Sequence, residues 1–171
     1  MIEKKKKPEN SGFSFIARIF HWGFIVLFAY GVVKQIDDIK ELEDLVLLKF
    51  EISFALLFIL FLLTRLVYMT RTQKTSLPPN TPKVQKYIAK VVHYGMYIGM
   101  ISIAFSGLVI GSLYWLGFKS GIAMKTIIGW HEFSVSIIYW LVGLHLAGAV
   151  YHWFRNDGVW ESMVPTFKRS K

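Results

Sequence analysis

Two histidines, His131 and His145, are the residues of this chain whose type and spacing most clearly predict chemistry. Both lie in one apolar run, residues 127–154, and about 20 residues suffice to span a bilayer. They are separated by 14 positions (145 − 131), so on a helix their side chains project within about 40° of each other, about 21 Å apart along the axis. Ionisable residues at membrane depth usually mark a functional site. Two imidazoles stacked in this way would suit two haems, one above the other.

The elements that must carry these histidines are four apolar runs, at residues 13–33, 45–69, 91–118 and 127–154. Hydrophobic residues make up 54% of the 171 residues, above the roughly 45–50% of a soluble domain. The first run is too long for a cleavable signal peptide and lacks a small-residue cleavage site. We predict an all-α, integral membrane four-helix bundle in a lipid bilayer, residues 13–154, between a basic tail (1–12) and a C-terminal tail (155–171).

The charge distribution predicts the orientation of this bundle. The net charge is +9, and the basic residues cluster in the two tails and in the second connection, whereas the first connection is acidic, with Asp37, Asp38, Glu41, Glu43 and Asp44. Positive charge marks the cytoplasmic side of a membrane protein. We therefore expect both termini to be cytoplasmic, and we attribute the basic charge to topology and not to nucleic acid binding.

The absence of cysteine limits the redox chemistry that the chain can support. It excludes disulfides, iron–sulfur clusters, thiolate-ligated haem and covalent c-type haem attachment.

The depth of His21 in the first helix matches that of His145 in the fourth. Counted from the cytoplasmic side, the two lie about eight and nine residues deep. Two imidazoles on different helices at one depth can ligate a haem iron from both faces, which suits electron transfer. The alternative is a set of separate polar contacts between helices. Zinc is disfavoured, because the levels of His131 and His145 are too far apart for one ion.

The level of His131, near the outer side, has no obvious histidine partner. No histidine occurs between residues 22 and 92, and Glu51 occupies the depth on the second helix where a partner is expected. The lack of a histidine partner for His131 is therefore the weak point of an interpretation with two haems.

Four further residues are candidates for cofactor contacts on the cytoplasmic side. For His93 the alternatives are a hydrogen bond between helices, a haem-propionate or quinone contact, or a substitute ligand. His152 is interpreted either as an interfacial structural residue or as a quinone or propionate contact. Arg18 and Arg65 extend to lipid headgroups or pair with haem propionates.

Glycines on the third helix, Gly95, Gly99, Gly107 and Gly111, have the spacing of close helix packing, or alternatively leave room for a flat macrocycle.

Several motifs add a family resemblance. They are Arg18-Ile-Phe-His21-Trp22, Arg65-Leu66, His93-Tyr-Gly-Met-Tyr97 with Gly107, and, most specifically, Trp130-His131-Glu132 followed by Gly143-Leu144-His145 and His152. Over residues 13–167 the chain resembles the bacterial cytochrome b561 family. The resemblance implies a multi-pass protein of the bacterial inner membrane with two b-type haems that reacts with quinone.

Carried onto this chain, the resemblance makes His21 and His145 the ligands of the cytoplasmic-side haem b and His131 a ligand of the periplasmic-side haem. The family's histidine on the second helix falls at Glu51, and the glycine after it falls at Ala55. The resemblance therefore implies one haem b for this chain and leaves open a second, five-coordinate one.

The function expected on this basis is electron transfer between a periplasmic-side donor and the quinone pool. One candidate is a superoxide:ubiquinone oxidoreductase, for which Lys119 and Lys125 would attract the anion and the acidic first connection would oppose it. The alternatives are a haem-bearing membrane anchor subunit of a periplasmic dehydrogenase or hydrogenase, and a haem-free scaffold.

Overall fold

The structure, a computed structural model, describes residues 12–36, 38–73 and 75–164. Over these residues the chain is all-helical, without a β-strand. Its elements are α1 (Phe15–Val33), a 3₁₀ turn (Ile39–Glu43), α2 (Leu45–Thr72), α3 (Lys83–Trp115), α4 (Ile122–Arg155) and the short α5 (Val159–Met163). The four long helices are each long and apolar enough to cross a bilayer. The predicted all-α class and the four spans are thereby confirmed, and the chain is a multi-pass membrane protein.

Three of the four long helices, α2, α3 and α4, are longer than the apolar runs that predicted them. The third run begins at residue 91, but α3 begins at Lys83; the fourth begins at residue 127, but α4 begins at Ile122. A helix continues through the polar headgroup layer, because its backbone hydrogen bonds do not depend on apolar side chains. The length of an apolar run therefore predicts where a helix crosses the hydrocarbon layer, but it underestimates the full length of these helices. The basic residues 4–7 and the C-terminal residues 165–171, which contributed to the predicted orientation, lie outside the described residues.

Local sequence explains where the helices begin and end. The Ser14 side chain accepts a hydrogen bond from the backbone N–H of Ala17 at the start of α1, and Asp44 accepts one from Val46 at the start of α2. Pro82 stands at the N-cap of α3, where its missing N–H costs no helical hydrogen bond. Asn156 ends α4 in the left-handed conformation, with φ of 50°.

The third helix, α3, is central and has its largest interfaces with α4 and α2. Glycines allow α3 to lie close to these two helices. A Cβ atom on Gly99 would lie 2.6 Å from Ile138 Cδ1, and one on Gly111 would lie 2.8 Å from Ile52 Cγ1. These positions therefore serve close helix packing. Gly107 differs, because its missing side chain faces the ring of His131, 3.5 Å from Cε1.

A dry cluster lies at mid-membrane, half-way between the two histidine levels. Ile138, which is 1% exposed, stands seven positions from both His131 and His145 on α4. It packs with buried side chains of the other three long helices, namely Phe24, Phe58, Leu62, Met100 and Ala104. The outward faces of the helices carry large apolar side chains such as Trp140, which is 78% exposed. This surface is suited to lipid and not to water.

Candidate functional site

The level that is predicted to lie nearer the cytoplasm, called the cytoplasmic level below, brings together three histidines from three helices. The ring centroid of His145, on α4, lies 6.3 Å from that of His21, on α1, and 5.0 Å from that of His93, on α3. His21 and His145 are half-buried, and His93 is exposed. The structure thus places at one level the pair for which the sequence predicted a common depth.

The separation of His21 and His145 suits two ligands of one metal. An imidazole nitrogen binds a first-row metal at about 2.0–2.1 Å, and the ring centroid lies about 1.1 Å further, so two trans imidazoles have centroids about 6.3 Å apart. The observed separation has this value, with 65° between the ring planes. Over their described residues, α1 and α4 have no extensive interface. The pair therefore fits a bis-imidazole haem site.

Arg65 reaches this level from α2. Its Nη2 atom lies 3.1 Å from Nδ1 of His21, and its guanidinium lies 5.4 Å from the ring centroid of Phe24 and 5.3 Å from that of Tyr97. A guanidinium can only donate hydrogen bonds, so Nδ1 of His21 accepts and the ring carries its proton on Nε2. Metal ligation through Nε2 requires the other tautomer. For His21 to ligate iron through Nε2, Arg65 would therefore have to release Nδ1.

The arginines also retain unused hydrogen-bond donors. The buried Nε atoms of Arg18 and Arg65 have no hydrogen-bond partner among the described residues. A buried, unsatisfied guanidinium N–H is costly unless an acceptor reaches it, and a carboxylate is its best acceptor. Both side chains thus fit the predicted contact with haem propionates.

The other two cytoplasmic-side histidines have different surroundings. His93 Nδ1 lies 2.6 Å from the carbonyl oxygen of Ala89, which fixes the proton on Nδ1 and leaves Nε2 free. His152 is buried, with Nδ1 2.7 Å from Oδ2 of Asp157 and Nε2 3.3 Å from Nε2 of Gln85. His152 thereby joins the end of α4 to the start of α3, an arrangement that favours its structural interpretation over a cofactor contact.

The outer level is built around His131, whose Nδ1 lies 2.9 Å from the hydroxyl oxygen of Ser106 on α3. The single hydroxyl proton of Ser106 is directed at its own helix, with carbonyl oxygens of Ser102 and Ile103 at 2.7 and 3.0 Å. Ser106 Oγ therefore accepts from Nδ1–H of His131, and Nε2 is the free nitrogen. This is the tautomer that a metal-ligating histidine requires.

A cavity of about 320 Å³ adjoins His131 between the four long helices. Its polar wall includes Lys34, Glu51 and Glu132, and much of the remaining wall is apolar. Lys34 forms an ion pair with Glu51, and its Nζ lies 3.8 Å from the ring centroid of Phe50. The structure thus brings Glu51 and His131, the two residues singled out at this level, to one cavity.

Lys34 and Ser106 were not recognised as site residues from the sequence. For Lys34 the available signal is a cation one residue beyond α1 at the depth of Glu51. Ser106 gave no signal, because hydroxyls are common on membrane helices and its partner is 25 positions away. Among the described residues, no group of three or more His, Cys, Asp and Glu side chains is arranged so that it could hold a metal ion by itself, and this includes the three histidines of the cytoplasmic level.

Comparison with known proteins agrees with this geometry. No curated protein sequence and no solved structure matches the chain. The family model described as prokaryotic cytochrome b561 matches residues 12–166, which include all four long helices and every histidine. The chain therefore belongs to the prokaryotic cytochrome b561 family, which makes it a transmembrane b-type cytochrome of electron transfer that binds haem b.

Proposed function

We propose that this protein transfers electrons between a donor on the periplasmic side of the bacterial inner membrane and the quinone pool. The observation that carries the proposal is the His21–His145 pair, with centroids 6.3 Å apart on two helices that have no extensive interface over their described residues. Two nitrogen ligands keep a haem iron six-coordinate, which favours outer-sphere electron transfer over ligand chemistry.

The residues of the chain have separate tasks in this function. His21 and His145 hold the haem at the cytoplasmic level, and Arg18 and Arg65 provide donors for its propionates. When bound, haem b supplies one-electron redox chemistry, and the protein supplies orientation and electrostatics. The dry cluster around Ile138 keeps water, and with it protons, out of the layer between the two levels.

The charges of the connection between α1 and α2, at the outer level, bear on the identity of the electron donor. The 3₁₀ turn and its flanks carry Asp38, Glu41, Glu43 and Asp44, and Lys119 is 3.7 Å from Glu43. A lysine next to a carboxylate contributes little net field for attracting an anion. We therefore propose a neutral or cationic donor in preference to superoxide.

The test is optical and uses the purified full-length chain in lipid vesicles. A reduced-minus-oxidised spectrum should show the α-band of haem b, and a quinol should reduce it while an equally apolar, redox-inactive analogue should not. A chain that binds haem but exchanges no electrons with quinone would support the alternative function as an anchor subunit. A chain purified without haem would contradict the proposal altogether.

A further inference from the structure

We propose that the outer cavity is a one-histidine haem site whose second face, opposite His131, is held open by the Lys34–Glu51 ion pair and takes a small neutral ligand. The inference rests on the proposed function, because it presumes a haem-loaded cytochrome. It departs from the two-histidine site that the family resemblance implies for this level, since Glu51 stands where a histidine of the second helix was expected.

The surroundings of His131 suit this residue to ligate a haem iron. Ser106 is fully buried and accepts from Nδ1–H of His131, which leaves the Nε2 lone pair available. Metal-ligating histidines commonly donate their second N–H to such a partner, which fixes both tautomer and ring orientation. Gly107 adds space beside the ring, because a Cβ there would be only 3.5 Å from Cε1 of His131.

On the other side of the cavity, Glu51 is already engaged in an ion pair. Its carboxylate is engaged by Lys34, and both side chains are about one-quarter to one-third exposed, at 26% and 30%. Lys34 competes with iron for the Glu51 carboxylate, and a carboxylate moved fully onto iron would leave a partly buried ammonium group without its partner, which costs free energy. Contact of Lys34 with the ring of Phe50 adds a cation–π attraction that holds the ammonium group in place. The ion pair thus disfavours Glu51 as an iron ligand.

The remaining described residues of the cavity wall offer no second imidazole. Besides His131, its polar members are Lys34, Gln35, Glu51, Glu132 and Tyr139. An axial position left empty by the protein is open to an exogenous ligand, as the polarity and access of a haem pocket decide between ligand binding and electron transfer.

Charge and polarity define the class of that ligand. The charges of Lys34 and Glu51 cancel each other. The remaining negative charges, on Glu132 and the acidic 3₁₀ turn, repel anions. The wall is otherwise largely apolar, and the ammonium group of Lys34 has N–H donors beyond the one that Glu51 uses. A small neutral molecule with a lone pair, such as carbon monoxide or imidazole, matches this wall better than azide or superoxide does.

The experiment uses the full-length chain purified with its haem and measures stoichiometry, spin state and ligand binding, not activity. A pyridine haemochrome assay should give two haems per chain. Low-temperature electron paramagnetic resonance should show one low-spin and one high-spin ferric centre. Imidazole should convert the high-spin centre to low-spin, and azide should bind it at least about tenfold more weakly.

Two variants sharpen the test. Glu51→His should convert the high-spin signal to low-spin without added imidazole, because an imidazole then faces His131 from α2. Glu43→His is the matched control, since Glu43 pairs with Lys119 and does not line the cavity; it should leave the signal high-spin. The imidazole titration of the unmodified protein tests the proposal even if Glu51→His fails to fold.

The outcomes separate this inference from the function on which it rests. Two low-spin centres, or one haem per chain, would overturn the one-histidine site while the low-spin signal of the His21–His145 level persists. A high-spin centre that binds azide as tightly as imidazole would overturn the ligand class. Loss of every haem signal would overturn both the inference and the proposed function.

Discussion

The imidazole rings of His21 and His145 lie with their centroids 6.3 Å apart and their planes at 65°, although one residue lies in the first helix and the other in the fourth. Bringing these two residues together requires the complete bundle, because α1 packs on α2, α2 on α3 and α3 on α4. Haem binding at this level should therefore report the native fold as well as the local site.

Removal of either of these two histidines should remove the same haem. We expect His21→Ala and His145→Ala each to abolish the low-spin signal of the cytoplasmic level, because both supply ligands to one iron. Electron paramagnetic resonance of the purified variants is the measurement. His131→Ala serves as the comparison and should keep this signal, since His131 lies about 21 Å further along α4. If one of the two alanine variants keeps full low-spin haem, the assigned pair is wrong.

Arg65 should tune the potential of the cytoplasmic-side haem. Arg65→Gln removes a cation near His21, and a nearby positive charge stabilises the reduced form. We expect the midpoint potential to fall by on the order of 50 mV, close to tenfold in the redox equilibrium. Redox titration of the α-band measures it. The exposed Arg71, in the last turn of α2, is the matched control. Arg71→Gln should leave the midpoint potential unchanged. Equal shifts in the two variants would rule out a specific role for Arg65.

Ser106 should act on the outer site through His131. Ser106→Ala deletes the acceptor of the Nδ1–H bond, which lowers the basicity of the imidazole and loosens its orientation. We expect the potential of the outer haem to rise and its occupancy to fall, with haem affinity reduced about 10–100-fold. Ser112→Ala is the control, because the hydroxyl of Ser112 bonds the carbonyl of Leu108 within the same helix. An outer haem of unchanged potential in Ser106→Ala would contradict this positioning role.

The glycine contacts of α3 should matter for stability in proportion to their closeness. Gly99→Ala places a Cβ 2.6 Å from Ile138, and overpacking of this kind costs about 1–3 kcal/mol. Thermal loss of the haem spectrum in detergent should therefore occur at a lower temperature. Gly129→Ala on α4 is the control, since a Cβ there has no described neighbour within 4 Å. Greater thermal stability of Gly99→Ala would show that α3 and α4 pack differently.

The orientation of the bundle remains a prediction from charge. A reporter active only in the periplasm should be silent when fused after Lys171 and active when inserted in the acidic connection between α1 and α2. The physical reason is that lysine and arginine residues are retained on the cytoplasmic side. Activity after Lys171 would reverse the assigned orientation and exchange the inner and outer sites.

Apolar length and helical periodicity are local properties, and for this reason much of the architecture could be predicted. Four runs predicted four long helices, and a spacing of 14 residues placed His131 and His145 on one face of what proves to be an unbroken α4. The starts of α3 and α4 were predicted too far inside, because helices extend beyond the hydrocarbon layer into polar sequence.

Lateral contacts between helices depend on how each helix is rotated and how deep it sits, which apolar composition does not specify. Only the tertiary structure could therefore place Lys34 against Glu51, and Ser106 beneath His131. The sequence, through its family resemblance, predicted that Glu51 stands where the family has a histidine at the outer level. Helix packing decided that this carboxylate is paired with an ammonium group on the wall of a cavity, because the pair forms only where α1 ends beside the start of α2.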